Sequence, residues 1–270
     1  MSDAEIWNHH GLYGHNARKT ERDQDPDYKK ILELYRDKQA RHSEGAQRLA
    51  KQLVKRYPPQ NTNEEPLNDQ GCWEAEEMGE RFDDSVNGDV GVVLVSPYRR
   101  ARMTTAIART RSRKLQKARL VVVPMLREQE FGLQTRYGDG IIYRILHPEE
   151  DTMLDLLGDF NYRYPGGESK HDLYLRIAFV RHWAWGMFPG LRKFFGAHHL
   201  GIICAHLEVI GFDENVFAWL DEGEIEEQKI RPRNCSLTTF DLNPSGLLVP
   251  GRYYDTLLHK PEDYRRRLSD

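Results

Sequence analysis

Short uninterrupted apolar runs, set between segments of helical period, constrain this chain more than any other feature. Gly91-Val-Val-Leu-Val95 and Leu120-Val-Val-Val123 carry no polar residue on either face, as strands do when a sheet is covered on both sides. Gly201-Ile-Ile-Cys-Ala205 reads as a third such strand, Leu237 to Leu242 as a fourth, and Ile31, Leu32, Leu34 and Tyr35 as a short strand ahead of them. Between these runs the apolar period lengthens. Residues 44–57 place Ala46, Leu49, Ala50 and Leu53 on one helical face. Asn68 caps a helix carrying Trp73, Met78 and Phe82 inward, another helix follows Ser96-Pro97 through Ile107, and residues 169–188 form a long one with Leu173, Ile177, Val180, Ala184 and Met187 inward. Strands alternating with helices predict an α/β fold: a three-layer sandwich whose mostly parallel sheet is flanked by helices.

Composition narrows the partners. Thirty-nine basic against 42 acidic residues leave a net charge of −3, which argues against a binder held to nucleic acid by phosphate neutralisation. No apolar stretch is long enough for a membrane span, and the first residues lack the basic-then-apolar order of a signal peptide. Cys72, Cys204 and Cys235 are odd in number and far apart, which fits a reducing, cytoplasmic compartment better than a disulfide framework. Residues 1–28 are polar and without period. They read as an N-terminal arm, with Trp7 and Tyr13 as isolated aromatic anchors for a protein partner. His9, His10 and His15 fall in that arm with no supporting shell, so neither a metal nor another cofactor is expected. Residues 29–250 read as the folded domain, and 251–270 as a charged tail whose Arg252-Tyr-Tyr254 and Tyr264-Arg-Arg-Arg267 offer a second surface for partners.

In open α/β sheets the site lies beyond the carboxyl ends of the strands. Arg36 follows the first predicted strand, Arg99, Arg100 and Arg102 the second, Glu128 and Glu130 the third, and His206 the fourth, while His198-His199 reads as a loop pair. Two guanidinium groups, an imidazole and a carboxylate converging on one crevice suit a phosphate ester, carried by a small molecule or a phosphoprotein. The arginines fork onto its oxygens and neutralise charge that shifts during transfer.

Six segments then resemble the histidine phosphatase superfamily, also called phosphoglycerate mutase-like. They are Pro66-Leu-Asn-Asp-Gln-Gly71, Val95-Ser-Pro-Tyr-Arg-Arg-Ala-Arg-Met-Thr104, Leu126-Arg-Glu-Gln-Glu-Phe-Gly132, Tyr164-Pro-Gly-Gly-Glu-Ser169, Cys204-Ala-His-Leu-Glu-Val-Ile210 and Arg233-Asn-Cys-Ser236. The resemblance implies a histidine that attacks phosphorus, two arginines and a second histidine around the phosphoryl oxygens, and a carboxylate that protonates the leaving alcohol. On matching motifs Arg100 is the second clamp arginine, Glu128 the proton donor and His206 the second histidine.

The family's first strand ends in Arg-His-Gly, and two registers are open here. In one, Arg36 is the clamp and Asp37 holds the place of a lost nucleophile. In the other, Arg41-His42-Ser43 is the motif and His42 attacks. The first is favoured because an apolar strand leads straight into it. Asp37 would face a phosphate dianion at a cost of about 4 kcal/mol for charges ~4 Å apart. Leu207 and Glu208 also replace the small residues expected after the second histidine. These departures point to a degenerate site in a non-catalytic, structural or binding component of a larger assembly. The alternative is an active phosphomonoesterase or phosphomutase using His42.

Overall fold

The computed structural model describes residues 3–59, 63–211, 232–252 and 255–256. The chain divides into two compact units. One is formed by Met1–Gly14, Asn63–Glu128 and Leu173–Asp270, the other by His15–Thr62 and Gln129–Asp172.

The first unit holds the sheet. Its strands are β1 (Asp3–His9), β2 (Val92–Val95), β3 (Arg119–Val122), β4 (Lys193–Ala197), β5 (Ser236–Leu242), β6 (Leu248–Pro250) and β7 (Asp255–Thr256). Their order is β3-β2-β4-β1-β5-β6, with β7 paired to β5. The β3, β2, β4 and β1 neighbours run parallel, while β5 lies antiparallel to β1, β6 and β7. The helices of this unit are α4 (Asp69–Ser85), α5 (Arg99–Arg111), α6 (Arg113–Lys117), most of α9 (Lys170–Met187) and α10 (His199–Ile210). Met78 and Phe82 of α4, Ala108 of α5 and Leu115 of α6 share a core with Ile6, Val93 and Phe194 of the sheet. The other face of β1 turns to α9, where Arg181 Nε donates to Glu5 at 2.9 Å and the Trp185 indole donates to the same carboxylate. The α/β architecture, with helices flanking the sheet, is as expected, but the sheet is mixed: three neighbouring pairs run parallel and three antiparallel.

The second unit is helical: α1 (Gly14–Gln24, after its first residue), α2 (Pro26–Arg36), α3 (Glu44–Arg56), α7 (Gly140–Leu146) and α8 (Pro148–Asn161). Tyr28 and Ile31 of α2, Ala46, Ala50 and Leu53 of α3, and Ile142 and Ile145 of α7 make its core. The cap read from sequence at Asn68 is present, accepting from the Gly71 amide, and Ser43 caps α3 by accepting from the Ala46 amide. Among the described residues no helix is long and apolar enough to cross a membrane.

Five expectations are corrected. Residues 3–9 are not an arm but an inner strand of the sheet. Trp7 is fully buried, its ring stacked on Phe195 with centroids 4.1 Å apart. Glu5 is also fully buried, its charge held by Arg181, so a polar residue sits where pattern reading looks for an apolar one. Tyr13 is likewise no isolated anchor, since it bridges to Leu67. Ile31 to Tyr35 belongs to α2, which begins at an Asp25 cap followed by Pro26 and buries Tyr28 and Ile31 at helical spacing. Gly201 to Ala205 lies in α10, because a short apolar run serves a buried helix as well as a strand. The strand of that region is β4, which begins at a fully buried lysine. β3, expected to be covered on both faces, is an edge strand with Leu120 and Val122 about half exposed. Of the expected tail, Tyr264-Arg-Arg-Arg267 and Tyr253-Tyr254 lie outside the described residues; Arg252 is tied to Thr239 through its amide.

Candidate active site

Two loops at the carboxyl ends of parallel strands carry the chemistry. After β1 come His10 and Gly11, and after β4 come His198 and His199. His10 is buried, and its Nδ1 lies 2.8 Å from the Gly11 carbonyl oxygen. A ring nitrogen facing a carbonyl must carry the proton, so in the neutral ring Nε2 keeps the lone pair. Nε2 accepts from Arg100 Nε at 3.0 Å.

Arg100 stands in the first turn of α5 and is almost fully buried. Its guanidinium lies over the rings of Tyr13 and Tyr98, 4.5 and 5.0 Å from their centroids. Its Nη2 reaches His198 Nδ1 at 3.1 Å. Arginine can only donate, so His198 accepts at Nδ1 and gives its Nε2 proton to Ser96 Oγ at 2.8 Å. One guanidinium thus bridges two neutral imidazoles. Burial holds both rings well below the ordinary imidazole pKa. Positive neighbours add to this, chiefly His9 and Arg100 at His10, and Arg100 at His198.

Glu128 follows the turn after β3. Its Oε2 lies 3.6 Å from His198 Nδ1 and 3.5 Å from His199 Nδ1. Arg176 of α9 secures that turn by donating to the carbonyls of Met125, Arg127 and Glu128.

The loop that carries His10 is anchored on three sides. The Gly11 amide donates to Thr104 Oγ1 at 2.9 Å, the Leu12 amide to Glu74 Oε2 at 2.8 Å, and the Cys235 amide to the His9 carbonyl at 3.0 Å. Burial raises the Glu74 pKa. Gly11 and Gly71 are required here, because a Cβ on Gly11 would come within 2.6 Å of the Gly71 carbonyl oxygen. Among the described residues no set of three or more His, Cys, Asp or Glu side chains is arranged to hold a metal.

The sequence pattern of the histidine phosphatase superfamily (branch 1) matches residues 40–250. The chain belongs to this superfamily. The match begins after the loop that carries His10, and it is the sheet that brings that loop to the site. Histidine phosphatase folds of known structure align over nearly the whole chain. A mycobacterial glucosyl-3-phosphoglycerate phosphatase with inorganic phosphate is 14% identical, with a TM-score of 0.62 over 95% of this chain and 99% of that one. An Entamoeba histolytica phosphoserine phosphatase in complex with 3-phosphoglyceric acid is 15% identical, with a TM-score of 0.59 over 96% and 100%. A Shigella flexneri alpha-ribazole phosphatase is 12% identical, with a TM-score of 0.59 over 95% and 99%. At these identities the likeness is one of fold. No curated protein matches the sequence.

Of the residues expected in the histidine phosphatase site, the structure brings together Arg100 and Glu128. The second imidazole beside them is His198, whereas His206 lies further along α10, where burial lowers its pKa. Leu207 is fully buried, and Glu208 pairs with Arg181 at 2.7 Å instead of standing at a crevice mouth. Arg36, Asp37 and His42 belong to the second unit. Arg36 ends α2, and Asp37 caps it, accepting from the Gln39 amide at 2.9 Å. His42 Nε2 lies 3.1 Å from Asp151, on which Arg41 Nη1 and the Tyr35 hydroxyl also converge at 2.8 and 2.7 Å. That is a structural network around a buried carboxylate. The imidazole at the tip of the strand is therefore His10, and His9 precedes it where the family resemblance expects arginine. The signal was present in the sequence: Asn8-His9-His10-Gly11 differs from Arg-His-Gly at one position of the triplet.

Proposed function

We propose that this chain is a phosphoric monoester hydrolase that works through a phosphohistidine on His10. The observation that carries the proposal is the fixed tautomer of His10, whose Nδ1 proton sits on the Gly11 carbonyl while Nε2 presents its lone pair toward Arg100. A phosphomonoester dianion placed between them exchanges the Arg100–His10 bond for guanidinium–oxygen bonds and exposes phosphorus to Nε2. His198 lies beside the same guanidinium and adds a ring nitrogen on the second side. Glu128 is placed to protonate the leaving alcohol and then to take a proton from the attacking water. The substrate class is a phosphorylated small molecule or phosphoprotein. The phosphatases named among the structural neighbours support the class of reaction and leave the substrate open.

A degenerate, phosphate-binding protein without turnover is the second reading. The observation in its favour is His9, which stands where a permanent guanidinium would complete the clamp. Its other supports, Asp37, Leu207 and Glu208, fall away because these residues lie in other surroundings.

The deciding experiment incubates the purified chain with an aryl phosphate, measures turnover, and looks for acid-labile phosphate on the His10 peptide after rapid quenching. Turnover with label on His10, both lost in His10→Ala, is the expected result. Phosphate binding by calorimetry with neither turnover nor label would establish the second reading instead.

A further inference from the structure

Resting on the hydrolase reading, we infer that His199 relays the proton between solvent and Glu128. Glu128 Oε2 is bordered by two imidazole nitrogens, 3.5 Å from His199 Nδ1 and 3.6 Å from His198 Nδ1. His198 is unsuited to feed it. Its Nδ1 lone pair already accepts from Arg100 Nη2, its Nε2 proton is engaged with Ser96, and its side chain is 1% exposed. The His199 side chain is 31% exposed against 13% for Glu128, so its ring spans from the buried carboxylate toward water.

The titratable groups facing His199 include Glu128 after β3, His9 at the end of β1 with ring centroids 5.9 Å apart and edge-on, and its neighbour His198. His199 is the first residue of α10, and a helix N-terminus disfavours a standing positive charge. The imidazolium is therefore transient, as a relay requires. At 3.5 Å the Nδ1–Oε2 pair is at the outer limit of a hydrogen bond, and the relay requires it to shorten.

The steps balance. His10 Nε2 forms a bond to phosphorus as the P–O bond to the alcohol breaks. As the departing oxygen takes the Glu128 carboxyl proton, Glu128 takes one from His199 Nδ1 and His199 Nε2 takes one from solvent in the same step, so the relay acts while the P–O bond breaks. Water then attacks phosphorus and the N–P bond breaks; the water proton passes to Glu128 as Glu128 returns its own to His199 Nδ1 and His199 Nε2 releases one to solvent.

His199 acts through Glu128, so the test reads leaving-group dependence. Rates of His10 phosphorylation in a single turnover are measured with an alkyl phosphate, whose leaving group needs a proton, and with a 4-nitrophenyl phosphate, whose leaving group does not. In His199→Gln the ratio of alkyl to aryl rates falls at least about tenfold, a part of the roughly 10²–10⁴-fold that a general acid contributes. In His199→Ala, added imidazole restores the alkyl rate. Equal losses on both substrates without rescue, or an unchanged ratio, overturn the relay and leave the hydrolase standing. A wild-type chain that turns over neither substrate overturns the hydrolase reading and the relay with it.

Discussion

Arg100 donates from Nε to the Nε2 lone pair of His10 across 3.0 Å, so the site's buried cation directly faces the proposed nucleophile. Any anion that separates them gains the guanidinium and uncovers the lone pair in one movement. Arg100→Ala is expected to lower kcat/KM on an aryl phosphate by about 10²–10³-fold, as when one preorganised donor to a developing anion is removed. Arg100→Lys recovers little, because a point ammonium cannot hold two groups from one plane. His42→Ala and Asp37→Ala stay within about twofold of wild type, since His42 is engaged with Asp151 and Asp37 caps α2. Steady-state kinetics on the four variants check this, and a His42→Ala chain that folds but loses turnover would contradict the assignment of His10.

His9 leaves the clamp without a second permanent charge. His9→Arg is therefore expected to tighten inorganic phosphate by about tenfold, the equivalent of ~1.4 kcal/mol and at the low end for a hydrogen bond to a charged group. Titration calorimetry of phosphate against both proteins, at one ionic strength, measures it. A folded variant with wild-type affinity would show that residue 9 does not reach the phosphoryl oxygens.

The parts of the fold legible in the sequence were those whose residues obey a single period. The strand ending at Val95 and the helices with Ala46, Ala50 and Leu53 or Met78 and Phe82 inside are in place. Arg100 and Glu128, which the structure brings together beside His198, drew attention for the same reason, each following an apolar run. β1 was hidden because it sits inside the sheet yet carries Glu5 and Asn8, whose polarity is met by Arg181 and the Ser236 carbonyl from distant parts of the chain. β4 was hidden by Lys193, which stacks on Trp185 with Nζ 3.6 Å from the ring centroid. The two misplaced histidines follow from these two misread strands. Once β1 and β4 are recognised, His10 and His198 stand at their ends without further argument.

Gly71 tests how tightly the His10 loop is seated. A Cβ there would lie 2.7 Å from the Leu12 nitrogen and meet the Leu12 carbonyl oxygen more closely still, and neither is a side-chain atom able to rotate away. Gly71→Ala is expected to destabilise the fold by about 2–3 kcal/mol through overpacking. It also displaces the loop that hydrogen-bonds to Glu74 and Thr104. A displacement on the order of 1 Å costs about a hundredfold in kcat. Chemical denaturation and kinetics on the same preparation separate the two effects. Gly45→Ala, where a new Cβ meets nothing closer than 3.9 Å, is the control expected to match wild type in activity.

The neutral state of His10 and His198 gives stability a pH dependence of defined sign. Burial holds both below the ordinary imidazole value of 6.5, so as pH falls below 6.5 the unfolded chain takes up protons that the folded chain refuses. Stability is fully present above the unfolded value and declines as pH drops toward the folded values. The slope is up to about 1.4 kcal/mol per pH unit for each such histidine. Glu74 works in the opposite sense, because burial raises its pKa: the folded state holds a proton more firmly than the unfolded one, and stability is lost as pH rises through its window above 4.5. The two contributions separate by mutation. Urea midpoints taken at pH 7.5 and 5.5 should fall at the lower pH in the wild type, and fall by less in His198→Gln, which cannot be protonated. Equal falls in the two proteins would mean that His198 is not held neutral in the folded state, and the bond from Arg100 Nη2 to its Nδ1 would then have to be abandoned.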